Sequence, residues 1–196
     1  MGNETPDRGS SETPPRPPTL KDLAQICAEL NRLGARYVVV GGLAMIQAGY
    51  ARTTEDIDLL IETTLENESK VIQALLILPD KAVAELKPGE IDQYGVVRVA
   101  DEVLIDLMKK GCDVTYADAA KDALVFSIEG IPVPFASPQT LWRMKQTVRA
   151  KDVPDRLYLK QLLDAQGVRV QEGAITNDIP GPPRRFWERL KAWFRH

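Results

Sequence analysis

Apolar residues recur along this chain at two different spacings, and each spacing predicts one type of secondary structure. Between Leu20 and Leu33 they follow the helical period, and Thr19 with Asp22 has the sequence of a capping box at the helix start. Gly34 is placed to end this first helix. Helical spacing and start signals predict further helices over residues 43–47, 66–78, 117–122 and 153–165, and one that begins at Ser137-Pro138.

Short runs of apolar residues, many of them β-branched, predict strands over residues 37–40, 55–61, 96–99 and 103–107. The last two of these runs are close enough in sequence to form a hairpin. A second hairpin is predicted around Glu129-Gly130, and its last strand contains Pro132 and Pro134. Because proline has no backbone N–H to donate to a neighbouring strand, we expect that last strand to lie at an edge of the sheet.

The composition changes at both ends of the chain, which divides it into a central domain and flanking segments. Residues 1–18 are rich in Pro, Ser, Thr and Glu and predict a disordered leader. Residues 19–166 hold the periodic patterns and form the predicted domain, and residues 167–183 predict a linker. Residues 184–196 predict a basic amphipathic helix, which either packs on the domain or docks on a partner protein or a membrane surface.

The composition argues against several classes of function. With 25 Lys and Arg against 28 Asp and Glu, the chain has no overall positive charge for a large nucleic-acid surface. Cys27 and Cys112 lie far apart and the only histidine is His196, which argues against a Cys/His zinc site and an internal histidine base. The start of the chain lacks the apolar segment of a secretory signal, and no apolar run approaches the roughly 18 residues of a membrane span, so we expect a cytoplasmic protein.

Two aspartates in one predicted strand are the strongest chemical signal. Asp56 and Asp58 flank Ile57, and because alternate residues of a strand share a face, both carboxylates point the same way. Like charges this close are unfavourable unless a cation or a proton relieves them. Asp106, on a second apolar strand, can supply a third carboxylate, and such oxygen ligands favour Mg²⁺ or Mn²⁺ in a two-metal phosphoryl-transfer site. The alternative is that these acids are solvated strand residues.

Several glycine and basic residues are candidates for binding phosphate. Gly41-Gly42 joins a strand to a helix, where free N–H groups suit a phosphate, although most such pairs are simply turns. Arg52 lies in the loop before the acidic strand and would bind phosphate or neutralise the acids. Lys145 and Arg149 are four residues apart in a predicted helix, where like charges on one face repel unless an anion lies between them. The alternative for both is a solvated helix surface.

Two motifs of this sequence resemble motifs of a known superfamily and occur in the same order along the chain as they do there. The segment YVVVGGLAMIQAGYARTTEDIDLLIE contains GG-x(9)-R-T-x(2)-D-I-D and resembles the nucleotidyltransferase fold superfamily, which includes DNA polymerase beta. Within it, the segment is most similar to the AbiEii/AbiGii-type toxin nucleotidyltransferases and their small bacterial relatives. The motif K-x3-R-x-K-D-x2-D, from Lys145 to Asp155, resembles a signature in the C-terminal helices of these relatives. The resemblance covers about residues 20–165 and implies an α/β fold with a mixed sheet flanked by helices, and with further helices at the C-terminal end.

The resemblance also implies roles for individual residues. Those that would bind metal and act in catalysis are Asp56, Asp58 and Asp106, the last of which would help to activate an acceptor hydroxyl. Those that would bind the nucleotide are Gly41, Gly42, Arg52, Lys145, Arg149, Asp152 and Asp155. Among these, Asp152 or Asp155 would hold Lys145 or Arg149 in place. Many active members carry serine at the position of Gly42, so a hydroxyl contact to phosphate is missing here.

Two functions of different classes are consistent with these residues. The first is an Mg²⁺- or Mn²⁺-dependent nucleotidyltransferase that transfers an NMP from an NTP to a hydroxyl of tRNA, a protein or a small molecule, and the resemblance extends it to a toxin–antitoxin role. The second is a non-catalytic nucleotide sensor or protein-interaction module that keeps the fold. One distance between carboxylates distinguishes the two functions. The enzyme requires the carboxylate of Asp106 within about 5 Å of those of Asp56 and Asp58, a span that divalent ions can bridge.

Overall fold

The computed structural model describes residues 14–170, and in this part of the chain six strands form one mixed sheet. Two further short strands, β5 and β6, form a separate two-stranded sheet. In chain order the strands are β1 (Tyr37–Val39), β2 (Asp56–Ile61), β3 (Val96–Ala100), β4 (Leu104–Met108), β5 (Lys110–Gly111), β6 (Val114–Thr115), β7 (Leu124–Ile128) and β8 (Ile131–Phe135).

Seven α-helices and one 3-10 helix accompany the sheet in the described residues. They are α1 (Leu20–Arg32), α2 (Gly41–Gln47), α3 (Leu65–Leu75), the 3-10 helix (Ala82–Glu85), α4 (Glu90–Tyr94), α5 (Tyr116–Ala119), α6 (Pro138–Met144) and α7 (Asp152–Ala165). Across residues 14–170, every helix is too short or too polar to cross a membrane.

The large sheet has the strand order β3-β4-β2-β1-β8-β7. Strand β2 runs parallel to β4 and antiparallel to β1, and β8 runs parallel to β1. The pairs β3/β4 and β7/β8 are antiparallel hairpins at the two edges. Parallel neighbours require a crossover, and the chain between β2 and β4 forms α3, the 3-10 helix, α4 and β3. Helices α1 and α2 pack on β8 and β2, so the expected mixed sheet flanked by helices is confirmed.

Strands β2 and β4 bury one face completely, and on the other face Asp56, Asp58 and Asp106 are only partly buried. Ile57 and Leu59 of β2 are fully buried, as are Ile105 and Leu107 of β4. Burial of each such side chain contributes about 1.5–3 kcal/mol to folding. Because strand residues alternate, burial of these four side chains turns the residues between them toward the opposite face. The acidic residues of both strands therefore share one side of the sheet.

Local start signals predict the first helix correctly, and the end of α3 differs from the prediction. The Thr19 hydroxyl accepts the N–H of Asp22, and the Asp22 carboxylate accepts the N–H of Thr19, so the capping box is confirmed. Helix α3 ends at Leu75, before the predicted end at Leu78. Leu78 precedes Pro79, and the residue before a proline is disfavoured in the helical conformation, so the last turn does not continue.

The prediction that the last strand of the second hairpin lies at an edge is wrong. Strand β8, with Pro132 and Pro134, lies between β1 and β7, and β7 forms the edge. The prolines are tolerated because β8 pairs with β1 only at Phe135 and Val39, beyond both of them. The carbonyl of Pro132 instead accepts a hydrogen bond from the side chain of Asn31 at 2.8 Å.

Several predicted segments lie largely outside the described residues. These are residues 1–13 of the predicted leader, residues 171–183 of the predicted linker and the whole predicted amphipathic helix over residues 184–196. Within residues 14–18, Arg16 pairs with the chain that follows. Its guanidinium lies 2.8 Å from Asp22 and 3.0 Å from Glu102, and its backbone N–H donates to the carbonyl of Glu102 at 2.9 Å.

Candidate active site

Three aspartates converge on the partly buried face of the sheet where β2 and β4 pair. Asp58 of β2 lies beside Asp106 of β4 in the parallel register, and Asp56 lies two residues earlier on β2. One carboxylate oxygen from each residue lies within 4.8 Å of the other two. This distance satisfies the criterion for carboxylates that divalent ions can bridge, and we call these residues the Asp triad.

Asp58 binds its proton more tightly than a free aspartate does, mainly because of its burial in the folded protein. Burial raises the pKa of Asp58 to about 6, and the charges of Asp56 and Asp106 act in the same direction. The positive charge of Lys145 and a hydrogen bond from the Gly42 N–H lower that pKa, but they do not cancel the other effects. A carboxyl group that keeps its proton to this pH lies where a further cation would be favourable.

Gly41 and Gly42 begin α2 directly beside the Asp triad. Gly41 has a φ of +61°, and a Cβ atom there would lie 1.8 Å from Oδ2 of Asp58. At Gly42 a Cβ atom would lie 2.3 Å from Oγ1 of Thr54, and its N–H donates to Oδ2 of Asp58 at 3.4 Å. The close approach of the backbone to Asp58 and Thr54 therefore requires glycine at both positions, whether or not a phosphate binds there.

Arg98 of β3 is the residue of this site that sequence reasoning missed. It lies opposite Asp106 in the antiparallel register of β3 and β4. Its Nε donates to Oδ1 of Asp106 at 2.7 Å, and its Nη2 donates to Oδ2 of Asp106 at 2.6 Å. The same Nη2 donates to Oδ2 of Asp56 at 3.0 Å. The guanidinium thus bridges two members of the Asp triad. In the observed hairpin Ala100 lies opposite Leu104, and this register places Arg98 across from Asp106. The predicted strand bounds, 96–99 and 103–107, did not specify that register.

A second group of charged residues lies around the start of α7, and we call it the α7 ion cluster. Lys145, at the end of α6, places its Nζ 3.0 Å from Asp152 and 2.8 Å from Asp155. Asp152 also pairs with Arg149 at 2.7 Å, and Asp155 pairs with Arg52 at 2.7 Å. The structure therefore brings together the five charged residues that the resemblance assigned to nucleotide binding.

The α7 ion cluster is mostly buried and is tied to nearby backbone. At most 1% of the Asp152 and Asp155 side chains and 9% of the Lys145 side chain are exposed. The hydroxyl of Thr147 donates to Asp152 in a short hydrogen bond. Arg156 donates to the carbonyls of Lys145 and Thr147 at 3.0 Å and 2.8 Å. Thr147 and Arg156 were not predicted as members of this group.

Lys145 and Arg149 do not share a helix face as predicted. Helix α6 ends at Met144, and Arg149 lies in the segment between α6 and α7. The two cations nevertheless approach a common anion, which is the Asp152 carboxylate of the protein itself. Their proximity therefore needs no bound phosphate to offset the repulsion.

The donor set of the Asp triad fits a divalent metal ion. Three carboxylates supply hard oxygen ligands on a single face, which Mg²⁺ and Mn²⁺ prefer over nitrogen or sulfur. The pKa of Asp58 is raised mainly by burial, and the negative charges of Asp56 and Asp106 raise it further. Asp56, Asp58 and Asp106 are thus the described residues that would hold such an ion.

Comparison with known proteins shows similarity in fold. No protein-family model and no curated protein matches the sequence. The solution structure of the antibiotic-resistance factor ANT(2'')-Ia aligns with a TM-score of 0.50 and 15% identity, over 90% of this chain and 95% of that chain. At this identity the alignment bears on the fold alone, and the chain has a nucleotidyltransferase-like fold.

Two other solved structures align at lower TM-scores. The crystal structure of ANT(2'')-Ia in complex with adenylyl-2''-tobramycin gives a TM-score of 0.44 and 17% identity, over 90% of this chain and 96% of that chain. An antigenic nucleotidyltransferase-like protein from Paracoccidioides brasiliensis gives 0.48 and 18% identity, over 76% of this chain and 79% of that chain.

Proposed function

We propose that this protein is a nucleotidyltransferase that depends on Mg²⁺ or Mn²⁺ and transfers an NMP from an NTP to an acceptor hydroxyl. The observation that carries the proposal is the Asp triad, whose carboxylates come from two adjacent parallel strands and approach within 4.8 Å. A nucleotidyltransferase-like fold around that triad supports the same conclusion.

The proposed reaction forms one bond and breaks one bond at phosphorus. The acceptor oxygen attacks the α-phosphorus of the NTP, its proton passes to a base, and the bond to pyrophosphate breaks. Asp106 is the proposed base, which agrees with its position beside Asp58 on the partly buried face. An ion held by the Asp triad would supply Lewis-acid stabilisation of the charge that develops on the phosphate oxygens.

The α7 ion cluster is proposed to help orient the nucleotide at the Asp triad. The charge of Lys145 lowers the pKa of Asp58, so Lys145 acts on the triad electrostatically. Asp152 and Asp155 hold its ammonium at 3.0 Å and 2.8 Å, which fixes where that charge lies. Such a fixed cation can stabilise the added negative charge of a triphosphate without reorganising.

The acceptor is proposed at the level of chemical class. A small-molecule hydroxyl is one candidate, and ANT(2'')-Ia, in its complex with adenylyl-2''-tobramycin, is a structure in which such a product is bound. A tRNA end and a protein hydroxyl are the other two candidates. The resemblance to AbiEii/AbiGii-type enzymes adds a toxin–antitoxin role to the proposal, and residues 184–196 would then be the surface for a partner protein or a membrane.

A second candidate function is a nucleotide sensor or protein-interaction module without turnover. The bridge from Arg98 to Asp56 and Asp106 favours it, because the guanidinium supplies positive charge where an active enzyme needs a metal ion. This candidate predicts that NTP binds, or fails to bind, without any transfer of label.

The experiment that tests the proposal incubates the protein with each α-labelled NTP and Mg²⁺ or Mn²⁺. Bulk tRNA, a protein lysate and an aminoglycoside such as tobramycin serve as separate acceptors. We expect transfer to one acceptor class that Asp56→Asn and Asp58→Asn abolish. Asp113→Asn is the control, since Asp113 is a surface acid with 71% of its side chain exposed. NTP binding with no transfer to any acceptor would favour the sensor.

A further inference from the structure

Arg98 is placed so that a metal ion and its guanidinium require the same oxygens. Both carboxylate oxygens of Asp106 and Oδ2 of Asp56 accept hydrogen bonds from it at 2.6–3.0 Å. A divalent ion binds carboxylate oxygens at about 2.0–2.6 Å, and a guanidinium on those same oxygens would repel it. The two cations are therefore alternatives at Asp56 and Asp106.

The position of Arg98 on the sheet allows it to leave. Strand β3 is an edge of the sheet, and 40% of the Arg98 side chain is exposed. A guanidinium stays protonated in proteins, so Arg98 does not release the two acids by losing a proton. Another cation must therefore replace Arg98 at these carboxylates. The hydrogen bonds of the Arg98 side chain go to Asp106 and Asp56, so the carboxylate of Asp58 can serve as the first ligand of an incoming metal ion.

We propose that Arg98 is a built-in competitor for the divalent metal ion, which bridges Asp56 and Asp106 in the metal-free protein and moves to solvent when the ion binds. The proposal rests on the proposed function, because it concerns loading of the same Asp triad. Its consequence is a threshold. When metal is scarce, the Arg98 guanidinium neutralises part of the charge of the Asp triad. The metal-ion concentration needed to fill the site is then higher than it would be for the three carboxylates without Arg98.

The test measures Mn²⁺ binding to the full chain by electron paramagnetic resonance of free Mn²⁺, without any nucleotide. Arg98→Gln removes the competing charge, and we expect its Kd for Mn²⁺ to fall on the order of tenfold, as for loss of a charge-assisted bidentate pair. Arg98→Lys keeps a cation that cannot bridge two carboxylates in the same way, so an intermediate Kd is expected. Arg143→Gln is the matched control, because Arg143 forms an exposed pair with Asp113 at 2.9 Å.

A second readout is the melting temperature in chelator and in saturating Mn²⁺. Arg98→Gln should melt below the native sequence in chelator and gain more from Mn²⁺, whereas Arg143→Gln should follow the native sequence in both. A Kd for Arg98→Gln equal to or weaker than that of the native protein overturns the proposal. If Asp58→Asn removes Mn²⁺ binding in that case, the metal site itself still stands. If Asp58→Asn binds Mn²⁺ normally, both the metal site and the competitor fail.

Discussion

Lys145 and Asp155 form an ion pair with a Nζ–Oδ2 distance of 2.8 Å, in which 9% and 1% of the two side chains are exposed. Removal of one partner from a buried pair costs about 3–5 kcal/mol when the remaining charge has no other partner. Arg52 pairs with Asp155 at 2.7 Å and remains when Lys145 is removed, which places the loss at the lower end of that range. We therefore expect Lys145→Met to lower the free energy of unfolding by about 3 kcal/mol in urea denaturation. Lys160→Met is the control, because its exposed pair with Asp164 at 3.2 Å should contribute less than about 1 kcal/mol. Equal losses of unfolding free energy in the two variants would show that the Lys145–Asp155 pair does not stabilise the fold more than an exposed pair does.

The second prediction concerns the contact between Gly41 and Asp58. Gly41→Ala and Gly34→Ala both place a Cβ atom at a positive φ, +61° and +64°, which costs about 1–2 kcal/mol. Only at Gly41 does that atom meet Asp58, at 1.8 Å from Oδ2, whereas nothing lies within 4 Å at Gly34. Gly41→Ala should therefore lose about 1–3 kcal/mol more stability than Gly34→Ala and also bind Mn²⁺ more weakly. Denaturation and Mn²⁺ titration of the pair measure both effects, and identical behaviour of the two variants would count against the contact.

The third prediction is a pH dependence in the metal-free protein. Because the folded-state pKa of Asp58 is raised to about 6, the folded protein binds this proton more tightly than the unfolded chain. The stability that Asp58 contributes is fully present below its unfolded pKa and is lost as the pH rises through about 6. Asp58→Asn lacks this loss. Its gain in stability over the native sequence should be near zero at acid pH and reach about 2–3 kcal/mol above the folded pKa.

Denaturation in chelator across this pH range measures that gain, with Asp113→Asn as an exposed control. A stability difference that does not change with pH would show that the carboxyl of Asp58 is not held in its protonated form.

The fourth prediction concerns metal removal. A ligand that binds only the folded state at 100 times its Kd stabilises it by about 2.7 kcal/mol. We expect saturating Mn²⁺ to stabilise the native sequence by this amount, and chelator to remove the gain. Asp106→Asn should abolish the gain, and Asp113→Asn should retain it. Stabilisation by Mn²⁺ that survives in Asp106→Asn would place the ion elsewhere.

Local sequence signals predict much of this fold and part of the site. The capping box of Thr19 and Asp22 and the shared face of Asp56 and Asp58 depend on residues near each other in the chain, so the sequence alone indicates them. The sequence did not predict the inward position of β8. A proline prevents strand pairing only where its own backbone N–H would be needed, and β8 pairs with β1 at Phe135, beyond both prolines. How many residues of β8 pair depends on β1, which the local sequence does not show.

Arg98 was missed for a different reason. An arginine between valines in a strand is an ordinary exposed residue until its partner across the ladder is known, and its bond to Asp56 also requires β2 to lie beyond β4. The link from Arg52 to Asp155 likewise joins distant parts of the chain at 2.7 Å. Nonlocal pairing of charges is set by the topology, which local patterns do not specify.

The parallel pairing of β2 with β4 also has a consequence for folding kinetics. The acids of the two strands are separated in sequence by the whole crossover, and contacts of such high sequence separation are slow to form. We expect the contacts between the two strands, and an ion bound to both of them, to be absent from the transition state of folding. Interactions absent from the transition state change the unfolding rate and not the folding rate. We therefore expect metal loading to slow unfolding in a chevron analysis and to leave the refolding arm unchanged.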